Sequence, residues 1–215
     1  YEITTRLVGA EMCIRDRYNC GRNYLKDDKN RGTVKLKKIF NKIQKIETKN
    51  LILREIQAKD AKDFFEYYTS ENICKYLDWN GPKSLEEAEE YIYTWRKGYE
   101  ENWILPFAIV NKSNDKMIGT IIFSEFIGKR ADLGYEICEA YWRKGLMYEA
   151  LDKLLPIVIR EFDLERIQSI VFKDNEASKR LLDKLKFNEE GLLKKYSYHI
   201  VSGECIDSYI YALVL

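Results

Sequence analysis

Between residues 131 and 138 apolar and polar positions alternate. Ala131, Leu133, Tyr135 and Ile137 point one way and Asp132, Gly134, Glu136 and Cys138 the other, the pattern of a half-buried strand. A short connection over 139–144 leads to Gly145, and beyond it Met147, Ala150, Leu151, Leu154, Leu155 and Val158 recur at helical spacing. Pro156 removes one backbone donor inside that helix, so a bend is expected there. Upstream, 51–56 predicts a first strand, and Asp60 stands where it would cap a short helix carrying Phe64, Phe65 and Tyr68. Asn80-Gly81-Pro82 marks a turn. Ser84-Leu-Glu-Glu87 is a capping box opening a longer helix, with Leu85, Ala88, Ile92, Trp95 and Tyr99 as its buried stripe. Two strands follow at 105–111 and 116–126, joined through Lys112-Ser-Asn-Asp115. After the central helix, 166–172 predicts a further strand, and Asp174-Asn175 starts a helix with Ala177, Leu181 and Leu185 facing inward. The segments 191–201 and 204–215 close the chain as a hairpin about Ser202-Gly203.

The first part of the chain shows no such order. Residues 1–33 lack an apolar period and are rich in Arg, Asn, Asp and Gly. The run 8–17 resembles peptides translated from sequencing-adapter DNA, and Arg31-Gly32 before Thr33-Val34 is codon-compatible with a ribosome-binding site ahead of a GTG start. In 34–46, Leu36, Ile39, Phe40 and Ile43 alternate with five lysines. That could be a docking helix, but a solvated lead-in is the favoured reading. Residues 1–45 are therefore expected to be a disordered or non-native extension, and 46–215 one domain.

Composition narrows the function. The 215 residues, 46% of them hydrophobic, are enough for one well-filled core, and a net charge of +1 recruits neither nucleic acid nor an acidic partner. Five scattered cysteines without a Cys-x-x-Cys pair, beside a single histidine, offer no metal site and favour a reduced, cytoplasmic setting. The run 154–159 is too short to span a membrane, and no secretory pattern is expected at the start.

The chemistry gathers at the turn. Helix-start N–H groups attract anions, Gly145 lets a phosphate approach the backbone, and Arg143 and Lys144 add positive charge. The turn reads as a pyrophosphate cradle. A nucleotide-triphosphate loop of the form Gly-x-x-x-x-Gly-Lys-Ser/Thr is missing from the sequence.

The order of elements, with a Gly turn after the fourth strand, resembles the GNAT acetyltransferases, in particular their RimJ/RimL-type branch of ribosomal-protein N-terminal acetyltransferases. Ile46-Glu-Thr-Lys-Asn-Leu-Ile-Leu-Arg54 is similar to that branch's entry strand. Lys116-Met-Ile-Gly119 and Asp132-Leu-Gly-Tyr-Glu136 resemble its third and fourth strands, Tyr141-Trp-Arg-Lys-Gly-Leu-Met-Tyr-Glu-Ala150 its cofactor loop, and Asn175-Glu-Ala-Ser178 the exit of its fifth strand. The resemblance implies an α/β (α+β) fold: a mixed, centrally splayed β-sheet flanked by helices on both faces, with acetyl-CoA in the splay. Backbone groups of Ile137, Cys138 and Glu139 would hold the pantetheine arm. Arg143, Lys144, Gly145, Leu146, Met147 and Tyr148 would hold the pyrophosphate, with Asn175 and Ser178 beside the thioester. At 147 the family prefers Gly or Ala, so Met147 is expected to narrow the pocket.

Acyl transfer to an amine needs a neutral nucleophile, an oxyanion site and help for the leaving thiolate. Glu136, on the polar face of the central strand, is the expected base, with Asp132 on the same face. For the acid, the Tyr that many relatives use falls at Leu182, while Ser178 matches the Ser of the ribosomal-protein branch. That branch's base Glu on the sixth strand falls at Ser197. Cys138 as an acetyl-enzyme nucleophile has no visible activating base. His199 reads as hairpin surface or a satisfied partner. The expected activity is direct N-acetyl transfer from acetyl-CoA to a primary amine, either a protein N-terminal α-amine or a small molecule. The expected assembly is a monomer or homodimer, without metal, membrane or nucleic acid. The alternative is a catalytically silent acyl-CoA-binding or sensing module.

Overall fold

The computed structural model describes residues 45–215, and the expectations for 1–44 lie outside them. The elements are β1 (Lys45–Glu47), β2 (Leu51–Glu55), α1 (Ala61–Tyr67), α2 (Glu71–Cys74), α3 (Leu85–Glu100), β3 (Ile104–Asn111), β4 (Lys116–Ile127), β5 (Arg130–Ile137), α4 (Leu146–Phe162), β6 (Arg166–Phe172), α5 (Glu176–Lys184), β7 (Asn188–His199) and β8 (Glu204–Val214). The short β1 has no period of its own. It takes Lys45 out of the expected extension and turns the fourth and fifth strands of the sequence pattern into β5 and β6.

The strands form one sheet in the order β1-β2-β3-β4-β5-β6-β8-β7. Among the described strands only β5 and β6 run parallel, joined by the crossover helix that such a pair requires. Their register ends almost as it begins: Arg130↔Arg166, Ala131↔Ile167 and Asp132↔Gln168 pair. Beyond these, β5 continues along β4 and β6 along β8, each without the other. The sheet therefore splays between β5 and β6.

Register also sorts the two faces. Leu105, Phe107 and Ile109 align with Phe123, Ile121 and Gly119, and those with Leu133, Tyr135 and Ile137. This row packs under α4, whose Leu146, Met147, Ala150, Leu151, Leu154, Leu155 and Val158 are buried in the same core with Leu182 and Leu185 of α5. The opposite row runs Arg54, Ala108, Thr120, Glu136. It lies under α1 and α3, where Phe64 meets Trp95 edge-on.

Four local expectations change. Asp60 holds the N-cap position of α1, but its carboxylate takes both arms of Arg54 at 2.7 Å and the Gln57 N–H at 2.8 Å, so its side chain makes no capping bond to that helix. At 2% exposure it needs the guanidinium fork more than one helix N–H. The helix α1 ends at Tyr67, so Tyr68, expected on it, lies just past its end; Phe64, Tyr67 and Tyr68 are buried and Phe65 is half-buried. Leu85 opens α3 but is 39% exposed, and Gly98 completes the stripe instead. On α5 Leu182 is buried and Leu181 packs against the core, as does Leu185 just past the helix end, whereas Ala177 in the first turn is exposed. Ser84 does cap α3 through the Glu87 N–H, while Glu87 reaches back to the Lys83 N–H. The helix α4 passes through Pro156 and ends at Phe162.

Candidate active site

Three elements meet where the sheet opens. The end of β5 forms one wall, the turn into α4 its floor, and the N-terminus of α5 the far side.

Glu136 stands on the α1 face of β5. Tyr67 donates to its Oε1 at 2.8 Å, Thr120 to the same oxygen at 3.1 Å, and Tyr68 to Oε2. Burial raises the Glu136 pKa above its ordinary value. The three hydroxyls pull it back and the nearby Asp78 charge pushes it further up. Burial and the Glu136 charge hold both tyrosines well above the usual phenol range, so they remain donors. A carboxylate has about four acceptor positions, and these hydroxyls fill three. One remains for a water or an amine proton.

The connection Ser70–Cys74 is clipped to the next turn, for Ser70 and Asn72 both donate to the Glu139 carboxylate. It also brings Cys74 near Glu136: burial first, then that charge, push the Cys74 thiol up to about 11. A cleft of about 330 Å³ on this face is lined by Asp63, Glu66, Tyr67, Lys116, Cys138 and Tyr141, among others. Its charges are engaged: Lys116 bonds Glu66 at 2.6 Å, and Asp63 accepts the Met117 N–H. Cys138 has no imidazole among these neighbours.

The backbone at the end of β5 is partly committed. Cys138 N–H donates to Ile118 O, and because bonded pairs alternate along an antiparallel ladder, Ile137 directs its backbone groups into the gap. Its carbonyl there accepts the Trp142 indole N–H at 2.7 Å. The carbonyls of Cys138 and Glu139 accept from Tyr141 and Trp142 N–H. What this segment presents to an incoming arm is the Ile137 N–H.

Gly145 has φ 74°, the left-handed conformation glycine supplies without strain, and an added Cβ would meet nothing within 4 Å. The first capping bond of α4 is Glu149 N–H to Gly145 O, so the N–H groups of Leu146, Met147 and Tyr148 precede the helical ladder. Glu149, the one acidic residue of the first turn, is drawn aside. Its two oxygens take the Asn50 N–H and amide at 2.7 Å, and these bonds, with Thr48, lower its pKa against the effect of burial. Arg143 and Lys144 are exposed, and Lys184 of α5 brings a third cation 3.8 Å above the Tyr148 ring. Met147 turns into the core at 7% exposure and does not narrow the turn. A phosphate fits here: open space, free donors and cations coincide.

Across the gap, Asn175 caps α5 by accepting the Ser178 N–H at 3.1 Å. Ser178 Oγ lies 2.6 Å from the Tyr135 hydroxyl. Leu182, at the position of the relatives' tyrosine, is wholly buried. Ser197 bonds Ser208 at 2.7 Å, and His199 bonds Ser202 at 2.9 Å and meets Phe172 edge-on. Among the described residues no group of His, Cys, Asp and Glu is arranged to hold a metal, and no helix is long and apolar enough to cross a membrane. Cys74, Cys138 and Cys205 are free thiols.

Sequence reasoning missed Tyr67, Thr120 and Tyr135. The spacing Phe64, Tyr67, Tyr68 (i, i+3, i+4) was the available signal for Tyr67. Thr120 needed the β4–β5 register.

A splayed mixed sheet with an anion-ready helix start at the splay is the arrangement the resemblance implied for an acyl-CoA-dependent transferase. A family model described as an acetyltransferase (GNAT) domain matches residues 50–188, and the chain belongs to that family. It is 35% identical over 171 residues to the uncharacterized N-acetyltransferase YoaA of Bacillus subtilis, covering 79% of this chain and 96% of that one. It is 26% identical over 179 residues to the [ribosomal protein uS5]-alanine N-acetyltransferase of Escherichia coli, covering 79% and 90%. Among solved structures it is similar in fold to RimL, a ribosomal L7/L12 α-N-protein acetyltransferase in complex with coenzyme A. There the TM-score is 0.72 at 23% identity, over 80% of this chain and 98% of that one. The protein is thus an acetyl-CoA-dependent N-acetyltransferase.

The close passage of β4 against β5 rests on Gly119. A Cβ there would lie 2.3 Å from Glu136 O and 2.9 Å from Ile137 Cα, both backbone atoms that cannot step aside. Gly119→Ala is expected to cost about 1–3 kcal/mol in urea unfolding, as overpacking does. Activity should fall with it because Glu136 and the Ile137 N–H move together. An unchanged unfolding midpoint would show that the strands can part freely.

Proposed function

We propose that this protein moves the acetyl group of acetyl-CoA directly to a primary amine, a protein N-terminal α-amine or a small-molecule amine, with both substrates bound at once. The observation that carries this is the splay between β5 and β6 with Glu136 on one face of the sheet and Ser178 on the other. A thioester lying in the gap would meet the amine from the Glu136 side and release its sulfur on the Ser178 side. Glu136, through its one unfilled acceptor position, takes the amine proton. The Ile137 N–H faces the gap where the carbonyl oxygen gains charge. Leu146, Met147 and Tyr148 N–H groups, with Arg143, Lys144 and Lys184, receive the pyrophosphate.

Ser197 carries no carboxylate and is already bonded to Ser208, so the base is assigned to β5 rather than to the hairpin. This departure from the ribosomal-protein branch weighs against assigning that branch's acceptor to this chain.

An assay that follows thiol release from acetyl-CoA over a panel of N-terminal peptides and small amines tests the proposal. Amine-dependent release with intersecting initial-rate lines is expected. Parallel lines, or acetylated Cys138 in a mass spectrum, would overturn direct transfer. Coenzyme A binding without amine-dependent release would leave a silent binding module.

A further inference from the structure

Tyr135 stands on the strand face opposite Glu136, and its hydroxyl is 2.6 Å from Ser178 Oγ. The contact crosses the gap: Tyr135 lies beyond the last β5–β6 pair, and Ser178 lies in the first turn of α5 with its N–H held by Asn175. Resting on the site reading above, we propose that Tyr135 is a positioning residue that fixes the direction of the Ser178 hydroxyl, so that its proton faces the departing sulfur.

A serine hydroxyl has one proton to give and two acceptor positions. If Ser178 donated to Tyr135, its proton would be spent within the protein and the sulfur would face a lone pair. The phenol is the more acidic hydroxyl and the better donor. Burial pushes its pKa up, so it keeps its proton throughout the working range. With Tyr135 donating, the Ser178 O–H is left to turn into the gap, and two hydrogen bonds in series strengthen each other. The step balances without loss from either hydroxyl. As the N–C bond forms and the C–S bond breaks, the amine proton passes to Glu136. The thiolate leaves against the Ser178 O–H and takes its proton from solvent.

Tyr135→Phe keeps the ring and removes the oxygen. The expected result is a fall in kcat of roughly fivefold to tenfold, the size of one net hydrogen bond. The KM for acetyl-CoA and the calorimetric Kd for coenzyme A should hold within about twofold. Active sites are counted by coenzyme A binding, so partial unfolding cannot imitate the loss. Combined with Ser178→Ala it should cost nothing further, whereas combined with Glu136→Gln the losses should multiply. Site-specific 3-fluorotyrosine, which restores a donor of the same shape, should rescue the Phe variant's kcat. A fall in Ser178→Ala with none in Tyr135→Phe overturns this inference alone. Tighter coenzyme A binding at unchanged kcat does so too, because the pair would then be a strut across the gap. An unchanged kcat in Ser178→Ala overturns the site reading and this inference together.

Discussion

Gly145→Val is expected to abolish the protection that coenzyme A gives the parent protein against heat. At a hundredfold excess over its Kd a ligand adds about 2.7 kcal/mol by linkage, roughly 5–10 °C for a domain of this size. The space beside Gly145 is open to a Cβ, so a valine there would stand where a phosphate must come to reach the Leu146, Met147 and Tyr148 N–H groups. The substitution has a second effect that must be separated from the first. At φ 74° a β-branched residue is strained by about 1–3 kcal/mol, which lowers the variant's own midpoint. The decisive quantity is therefore the difference with and without coenzyme A, measured for each protein. Equal protection of parent and variant would place the cradle elsewhere.

How far the sequence carried this site can be seen residue by residue. The β5–Gly145–α4 unit was legible because two periods, 2 and 3.6, meet at one glycine, and each is a local property of the chain. The splay was visible only through resemblance, since no local pattern tells a strand which neighbour it will leave. The environment of Glu136 was hidden for a different reason. Its hydroxyl partners come from 67, 68 and 120, and they converge only once β4 pairs with β5 and α1 lies across both. Asp60 illustrates the limit of capping rules: a carboxylate expected to cap a helix is taken by Arg54, because a buried charge is satisfied better by a charge. Leu85 and Ala177 show the lesser error: both helices start where expected, but these first-turn residues stand at the rim of the core and stay exposed. Met147 looked like an obstacle because only its place in the turn could be read; its side chain belongs to the core.

Glu136→Gln is expected to lower kcat/KM by at least about a hundredfold, the lower range for loss of a positioned base, while leaving the fold as stable as the parent's or more so at neutral pH. The two halves have one cause. Burial raises the Glu136 pKa above 4.5, so the folded state binds that proton more tightly than the unfolded state does. Stability then falls as pH rises from the unfolded value through the folded one, because the unfolded chain holds fewer protons over that interval. A glutamine is neutral throughout and escapes this cost. The amide oxygen can still accept from Tyr67 and Thr120, and the Tyr68 hydroxyl can rotate to accept from the amide NH2, so most of the network is kept. Urea midpoints measured against pH should show parent and variant converging at acid pH and the variant at or above the parent near neutrality. The rate moves the other way. The parent's activity should decline with acid at a higher pH than an ordinary carboxylate would dictate, since its base is protonated earlier. The variant has no such base, and its rate should follow the fraction of acceptor amine that is free, rising with pH until the amine is deprotonated. A variant that keeps the parent's rate and acid limb would remove Glu136 from the reaction. One that loses activity and stability together would make it a structural anchor for Tyr67 and Tyr68 instead.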